Sequence, residues 1–164
     1  NVADAPEHAA AQAVLAAAAD DAYVMDLFTG FLDRCGEGAG PTDWVALDAD
    51  VVRDHGVDPL NNFGAPLSNR FLRGFVDLYD QANGDAFYAA ARPDLPVLIL
   101  AGDQDPVTNF GEGAYHVGNR LVASGHLDVR VRVWTGFRHE VHNEPPIRDE
   151  VAAELLAFVE RVTA

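Results

Sequence analysis

The stretch 96–144 constrains the fold more than any other part of this 164-residue chain. It begins with the apolar run 96–101, which is typical of a parallel strand buried on both faces. A turn with two carboxylates and a helical segment at about 112–124 follow. Alternating valine and arginine predict a second strand at 128–134, and the loop after it carries His139. This order of elements predicts an α/β fold with two parallel strands and flanking helices.

Both predicted strands end at residues that can act as acid and base. Asp103 and Asp105 follow the first strand, and His139 follows the second. Catalytic groups gather at the carboxyl ends of parallel strands, so we expect Asp105 and His139 to meet. A carboxylate that orients an imidazole is the supporting half of a nucleophile–His–Asp triad. The spacing also leaves simpler interpretations open, because an aspartate often only shapes a turn and a loop histidine is often merely exposed.

Composition limits the partners and the location of the chain. The 26 acidic and 11 basic residues give a net charge of −15, and every basic residue is arginine. This charge argues against nucleic acid or an anionic membrane as a partner, and it fits either a well-solvated surface or an adaptation to high salt. The single cysteine, Cys35, allows no internal disulfide, and we predict no metal and no cofactor. No apolar run is long enough to span a membrane, and the alanine-rich segment 9–19 lacks the preceding basic residues of a signal peptide. We therefore predict a cytoplasmic protein without a membrane span.

The composition changes near residue 92, which predicts two regions. Residues 1–91 are expected to form a helical cap or lid, and residues 92–164 part of an α/β core. Two strands alone cannot bury a run as apolar as 97–100. We therefore expect the sheet to be incomplete without an N-terminal segment.

The predicted helices outside the stretch 96–144 are one or two in 6–34, with apolar faces that include 24–28, then 49–55, 68–83, 86–91 and a last one opened by Pro145–Pro146. Asp48 is a candidate N-cap of 49–55, and Ser68 or Asn69 can cap the helix that ends near 83. Glu144 favours the start of the last helix, whose apolar stripe is predicted to be Ile147, Val151, Leu155, Val159 and Val162.

Several short segments resemble a known family. They are 96–107, 110–111, 136–140 and 143–144, together with 42–45 and 57–60 upstream. In these segments the chain resembles the C-terminal half of α/β-hydrolases of the monoacylglycerol-lipase and serine-aminopeptidase-like group, including lysophospholipase-like members. The resemblance implies that Asp105 is the triad acid, that His139 is the base and that Asp103 shapes the turn. It also implies hydrolysis of a small carboxylic ester, with a lipid-like substrate such as a monoacylglycerol or a lysophospholipid.

Four apolar residues are candidates for lining an acyl pocket, although core packing is the simpler interpretation of each. They are Phe63, Val107, Phe110 and Val141.

The chain departs from the family at the nucleophile. The family's serine lies in a Gly-x-Ser-x-Gly turn, and this sequence contains no such motif; its serines are Ser68 and Ser124. We therefore expect this chain to be inactive alone and to work with the N-terminal half of the same hydrolase, as a separate chain or a further segment. Two alternatives stay open: a truncated or split module that docks another chain without catalysis, and an aminopeptidase or other α/β-hydrolase activity.

Overall fold

The structure is a computed structural model that describes residues 6–23, 30–61 and 65–164. Six helices and two strands follow one another in the described residues. In chain order they are α1 (Pro6–Ala17), α2 (Ala49–Val57), α3 (Asn69–Asn83), α4 (Asp85–Ala90), β1 (Val97–Gly102), α5 (Glu112–Ala123), β2 (Val129–Trp134) and α6 (Arg148–Thr163).

The two strands pair in parallel, as the sequence predicted. The register runs from Val97 opposite Val129 to Gly102 opposite Trp134. Helix α5 makes the crossover between them and packs so closely on β2 that a Cβ atom at Gly118 would lie 2.6 Å from Cγ2 of Val131. Both strands therefore end at the same edge of the sheet.

Strand β1 is only partly buried, in line with the expectation that the sheet is incomplete. Val97 to Leu100 are only half-buried, and burial is complete only at Ala101 and Gly102. The reason is that β2 is the single strand paired with β1 in the part of the chain that the structure describes. The apolar sequence of β1 thus exceeds the burial that it obtains here.

The core beside the strands is small. It consists of Trp134, Val141, Ile147 and Val151, with Leu100 and Phe137 packed against them. Helix α6 begins at Arg148 rather than at the two prolines, because 144–147 forms a turn in which Ile147 N–H donates to Glu144 C=O. The predicted apolar stripe of α6 is buried only at its start, since Leu155 and Val159 are 42% and 51% exposed.

Two helix starts upstream are capped as predicted. Asp48 accepts hydrogen bonds from the main-chain N–H groups of Asp50 and Val51 at the start of α2. Ser68 accepts one from Phe71 N–H at the start of α3. Such caps satisfy donors that the helix itself leaves unpaired.

The region before β1 contains two further small cores. Leu15 of α1 packs on Leu72 of α3, and buried Asn69 joins the two helices by donating to the carbonyl groups of Leu15 and Ala18. The second core is centred on the fully buried segment 44–46.

The predicted helical faces between residues 24 and 29 lie outside the described residues. The division at residue 92 stays a prediction. None of the described helices is both long and apolar enough to cross a lipid bilayer.

Candidate active site

The turn after β1 buries a carboxylate. Asp105 is 2% exposed, and its Oδ1 accepts a hydrogen bond of 2.9 Å from Val107 N–H. The peptide N–H of Phe110 donates to the main-chain oxygen of Asp105 at 2.7 Å. The C-terminal side of the turn therefore holds both the carboxylate and the main-chain oxygen of Asp105.

The loop after β2 is locked onto this turn by main-chain contacts. Gln104 N–H donates to Phe137 C=O at 2.8 Å, and Asp103 Oδ1 accepts from Gly136 N–H at 2.6 Å. A Cβ atom at Gly102 would lie 2.1 Å from the oxygen of Phe137, so this close approach requires glycine. Asp103 thus joins the two loops, in line with the role expected for it.

The acid and the base meet at this edge. His139 Nδ1 lies 3.2 Å from Asp105 Oδ1. The contact is an ion-pair distance rather than a well-formed hydrogen bond. The His139 side chain is 38% exposed whereas that of Asp105 is 2% exposed, so the imidazole is the accessible member of the pair.

The surroundings of His139 favour its charged form. The contact with Asp105 raises the pKa of His139 above its ordinary value, against the opposite effect of partial burial. The charges of Asp105 and Glu140 add to the increase. A carboxylate that stabilises imidazolium in this way is what a general base needs once it has taken a proton.

An aromatic side chain from an upstream segment packs beside His139. The ring centre of Trp44 lies 5.2 Å from that of His139, at an interplanar angle of 49°. Trp44 is 4% exposed and also contacts the edge of Phe31. Sequence reasoning missed this neighbour, because Trp44 lies nearly a hundred positions before His139 and no local pattern connects the two.

The four predicted pocket residues are placed differently from one another. Val107 is 40% exposed beside Asp105, whereas Val141 is 4% exposed and belongs to the core near Trp134. Phe110 is half-buried, and the guanidinium carbon of Arg34 lies 3.7 Å from its ring centre. Phe63 lies outside the described residues. A pocket role for these residues stays a prediction.

The backbone beside Asp105 is strained. Asn109 and Phe110 have φ angles of 51° and 57°, and Gly111 follows with 87°. A bulky residue such as phenylalanine rarely adopts a positive φ. The Oγ1 of Thr108 accepts from Gly111 N–H at 3.2 Å, and the Arg34 guanidinium covers Phe110. These contacts keep the strained loop next to the buried acid.

The two serines and the cysteine occupy other positions. Ser68 caps α3, and Ser124 lies at the C-terminal end of α5. Burial raises the pKa of the Cys35 thiol, which lowers the fraction of reactive thiolate. Among the described residues, no three His, Cys, Asp or Glu side chains are close enough to hold a metal ion.

Comparison with known proteins gives one family and two similar solved structures. The family described as serine aminopeptidase, S33, matches residues 2–146. A lipase in its open form is 44% identical with a TM-score of 0.80, over 94% of this chain and 51% of the lipase chain. A highly thermostable carboxyl esterase from Bacillus coagulans, solved in complex with glycerol, is 33% identical with a TM-score of 0.82, over 95% of this chain and 51% of its own. No match was found among curated proteins. The chain therefore spans about half the length of these two solved chains.

Proposed function

Because the chain belongs to the serine aminopeptidase (S33) family of α/β-hydrolases, we propose that it supplies the acid and the base of a serine hydrolase that cleaves carboxylic esters. The observation that carries the proposal is the 3.2 Å approach of His139 Nδ1 to the buried Asp105 carboxylate at the carboxyl end of two parallel strands. This pairing follows the acid-then-histidine order of α/β-hydrolases.

The two side chains have separate roles in the proposed reaction. His139 takes the proton from a serine hydroxyl as that oxygen attacks the ester carbonyl, and then gives it to the leaving alcohol. Asp105 holds the proton on Nδ1, so that Nε2 faces the serine, and stabilises the imidazolium formed after proton transfer. The exposure of His139 and the burial of Asp105 suit these roles.

The serine and the oxyanion-stabilising groups belong to the N-terminal half of the same hydrolase in this proposal, because the sequence contains no Gly-x-Ser-x-Gly. The half-buried strand β1 supports it, since a strand as apolar as 97–100 gains stability from a second neighbouring strand. The 164 residues alone are then expected to be inactive.

The proposed substrate is a lipid-like ester, such as a monoacylglycerol or a lysophospholipid. The two similar solved structures are a lipase and a carboxyl esterase, which supports an ester over an amide. The description of the family supports an aminopeptidase as the alternative. Side-by-side assays with an acyl ester and an amino-acid anilide distinguish these two substrate classes.

A chimera tests the proposal directly. In it, this chain replaces the matching half of the 44%-identical lipase, and hydrolysis of a p-nitrophenyl acyl ester is measured. We expect the chimera to be active and His139→Ala to lower kcat by about 10⁴-fold or more, as loss of a triad base does.

His142→Ala is the matched control, because His142 is an exposed histidine of the same loop. It should leave kcat within about twofold. Equal activity of His139→Ala and the unsubstituted chimera would contradict the proposed role of His139, provided that both variants melt at similar temperatures.

The half-buried strand also favours a second candidate function, a non-catalytic module that docks another chain. A chimera that folds but hydrolyses neither ester nor anilide, together with a purified chain that associates with a second polypeptide by mass measurement, would favour the docking module over the hydrolase.

A further inference from the structure

The segment 43–47 is held by the loop that carries His139, although it lies far upstream in the sequence. Trp44, Val45 and Ala46 are 4%, 0% and 0% exposed. The aromatic ring of Trp44 faces His139. The position of this segment therefore determines what packs against the imidazole.

Arg138 holds the first part of the segment. Its Nη1 donates to the carbonyl oxygens of Asp43 at 2.6 Å and Ala46 at 3.0 Å, and its Nη2 lies 3.5 Å from the oxygen of Cys35. One planar guanidinium thus spans three main-chain oxygens, a geometry that the compact ammonium of lysine cannot reproduce. Because Arg138 directly precedes His139, the same backbone carries the clamp and the base.

Two glutamates hold the rest of the segment. Glu140 N–H donates to Val45 C=O at 2.8 Å. Glu144 is 1% exposed, and its carboxylate accepts a hydrogen bond from Leu47 N–H. A buried carboxylate is costly unless it is hydrogen-bonded, and this bond also explains why Glu144 points inward rather than capping α6.

We propose that Arg138 and Glu144 clamp segment 43–47 and thereby position His139 through the ring of Trp44. The two clamp residues flank His139 in sequence and hold the two ends of the segment, so Trp44 cannot shift without breaking charge-assisted hydrogen bonds at one end. Trp44 then limits rotation of the imidazole away from Asp105. The effect of this arrangement on catalysis rests on the proposed function. The positioning of His139 by the clamp does not.

The first test measures the imidazole itself by NMR on this chain with labelled histidine. We expect Trp44→Leu to remove the ring-current shift of the His139 ring protons, and Arg138→Lys to move them in the same direction because Trp44 is released. Arg148→Ala is the matched control, since Arg148 is exposed and pairs with neighbouring Asp149. Unmoved His139 signals in a folded Arg138→Lys variant would overturn the proposal.

Glu144 provides a second variant pair in case Arg138 variants do not fold. Glu144→Gln retains an oxygen that can accept from Leu47 N–H, so the His139 signals should stay near those of the unsubstituted chain. Glu144→Ala should move them as Trp44→Leu does. Identical His139 spectra for the two Glu144 variants would contradict the clamp.

The second test measures kinetics in the chimera. Arg138→Lys should lower kcat by about 10- to 100-fold while KM stays within about twofold, as expected when a reacting group is misplaced. A chimera without esterase activity would overturn the proposed function, while the NMR measurement would still decide whether the clamp positions His139. If Arg148→Ala lowered kcat and the melting temperature as much as Arg138→Lys does, loss of an arginine would act through general stability. That result would contradict the clamp.

Discussion

The loops at the carboxyl edge of the sheet and the strand–helix layer that carries them differ sharply in burial. Asp105, Glu144 and segment 44–46 are almost completely buried. By contrast, β1 is half-buried over Val97 to Leu100, and α6 leaves Leu156 64% exposed. The acid–base pair is thus held by contacts within this chain, whereas the strand–helix layer beneath it leaves apolar surface exposed.

The largest expected effect is on catalysis at the buried edge. Asp105→Asn should lower kcat/KM of the chimera by about 10⁴-fold, because the amide no longer holds the required imidazole tautomer. The assay is ester hydrolysis at neutral pH. Asp94→Asn is the control, since Asp94 is an exposed acid paired with Arg92, and a comparable loss there would remove the distinction between the two regions.

The next effect is on the free energy of unfolding, and its sign should differ between the carboxyl edge of the sheet and the upstream helix α3. Gly102→Ala should destabilise the chain by about 3 kcal/mol, because its Cβ would overlap main-chain atoms of the His139 loop. Gly74→Ala in α3, where nothing lies near the new Cβ, should stabilise it by about 1 kcal/mol through helix propensity. Denaturant unfolding measures both. Equal effects would show that the edge is no more tightly packed than α3.

A smaller contrast is expected within α6. Val151 is 1% exposed in the core, so Val151→Ala should cost about 2 kcal/mol of unfolding free energy. Leu156→Gln should change it by less than about 0.5 kcal/mol, because that side chain is mostly exposed. If Leu156→Gln proved as damaging in the purified chain, α6 would have to be covered in solution.

The smallest expected effect is a shift in the pH at which His139 titrates. Since the contact with Asp105 raises the pKa of His139, the pair stabilises the folded chain fully below the pKa of an unfolded histidine. That contribution is lost as pH rises through the folded-state pKa. NMR titration should place the His139 midpoint above that of the same residue in Asp105→Asn. A midpoint that does not fall in the variant would mean that Asp105 does not stabilise the imidazolium.

The sequence predicted the local features of the fold well. The parallel strands, the caps at Asp48 and Ser68 and the α/β-hydrolase resemblance are confirmed, because each depends on periodicity or on residues a few positions apart. The partial burial of β1 fits the expectation of an incomplete sheet, since full burial depends on neighbouring strands that a strand's own sequence does not supply. The meeting of Asp105 and His139 was expected from the parallel strand ends together with the family resemblance, since the spacing alone left simpler interpretations open.

The unpredicted features depend on distant contacts or on backbone strain. Nothing in the residues around Trp44 indicates that Arg138 would bind the carbonyl groups beside it. Glu144 was interpreted as favouring the start of the last helix, because its acceptor role depends on Leu47. Phe110 has a left-handed backbone conformation, which phenylalanine rarely adopts. The Arg34 guanidinium on its ring and the hydrogen bond between Thr108 and Gly111 stabilise this conformation.

The contact at Gly102 has a consequence for protein engineering. Where one main chain touches another, there is no side chain to exchange, so the acid turn and the histidine loop offer little room for diversification. A mutant library aimed at new substrate preference should leave positions 102 and 136–138 untouched. Diversity is better introduced at exposed residues of 30–61 outside segment 43–47, whose main chain is also held by the histidine loop.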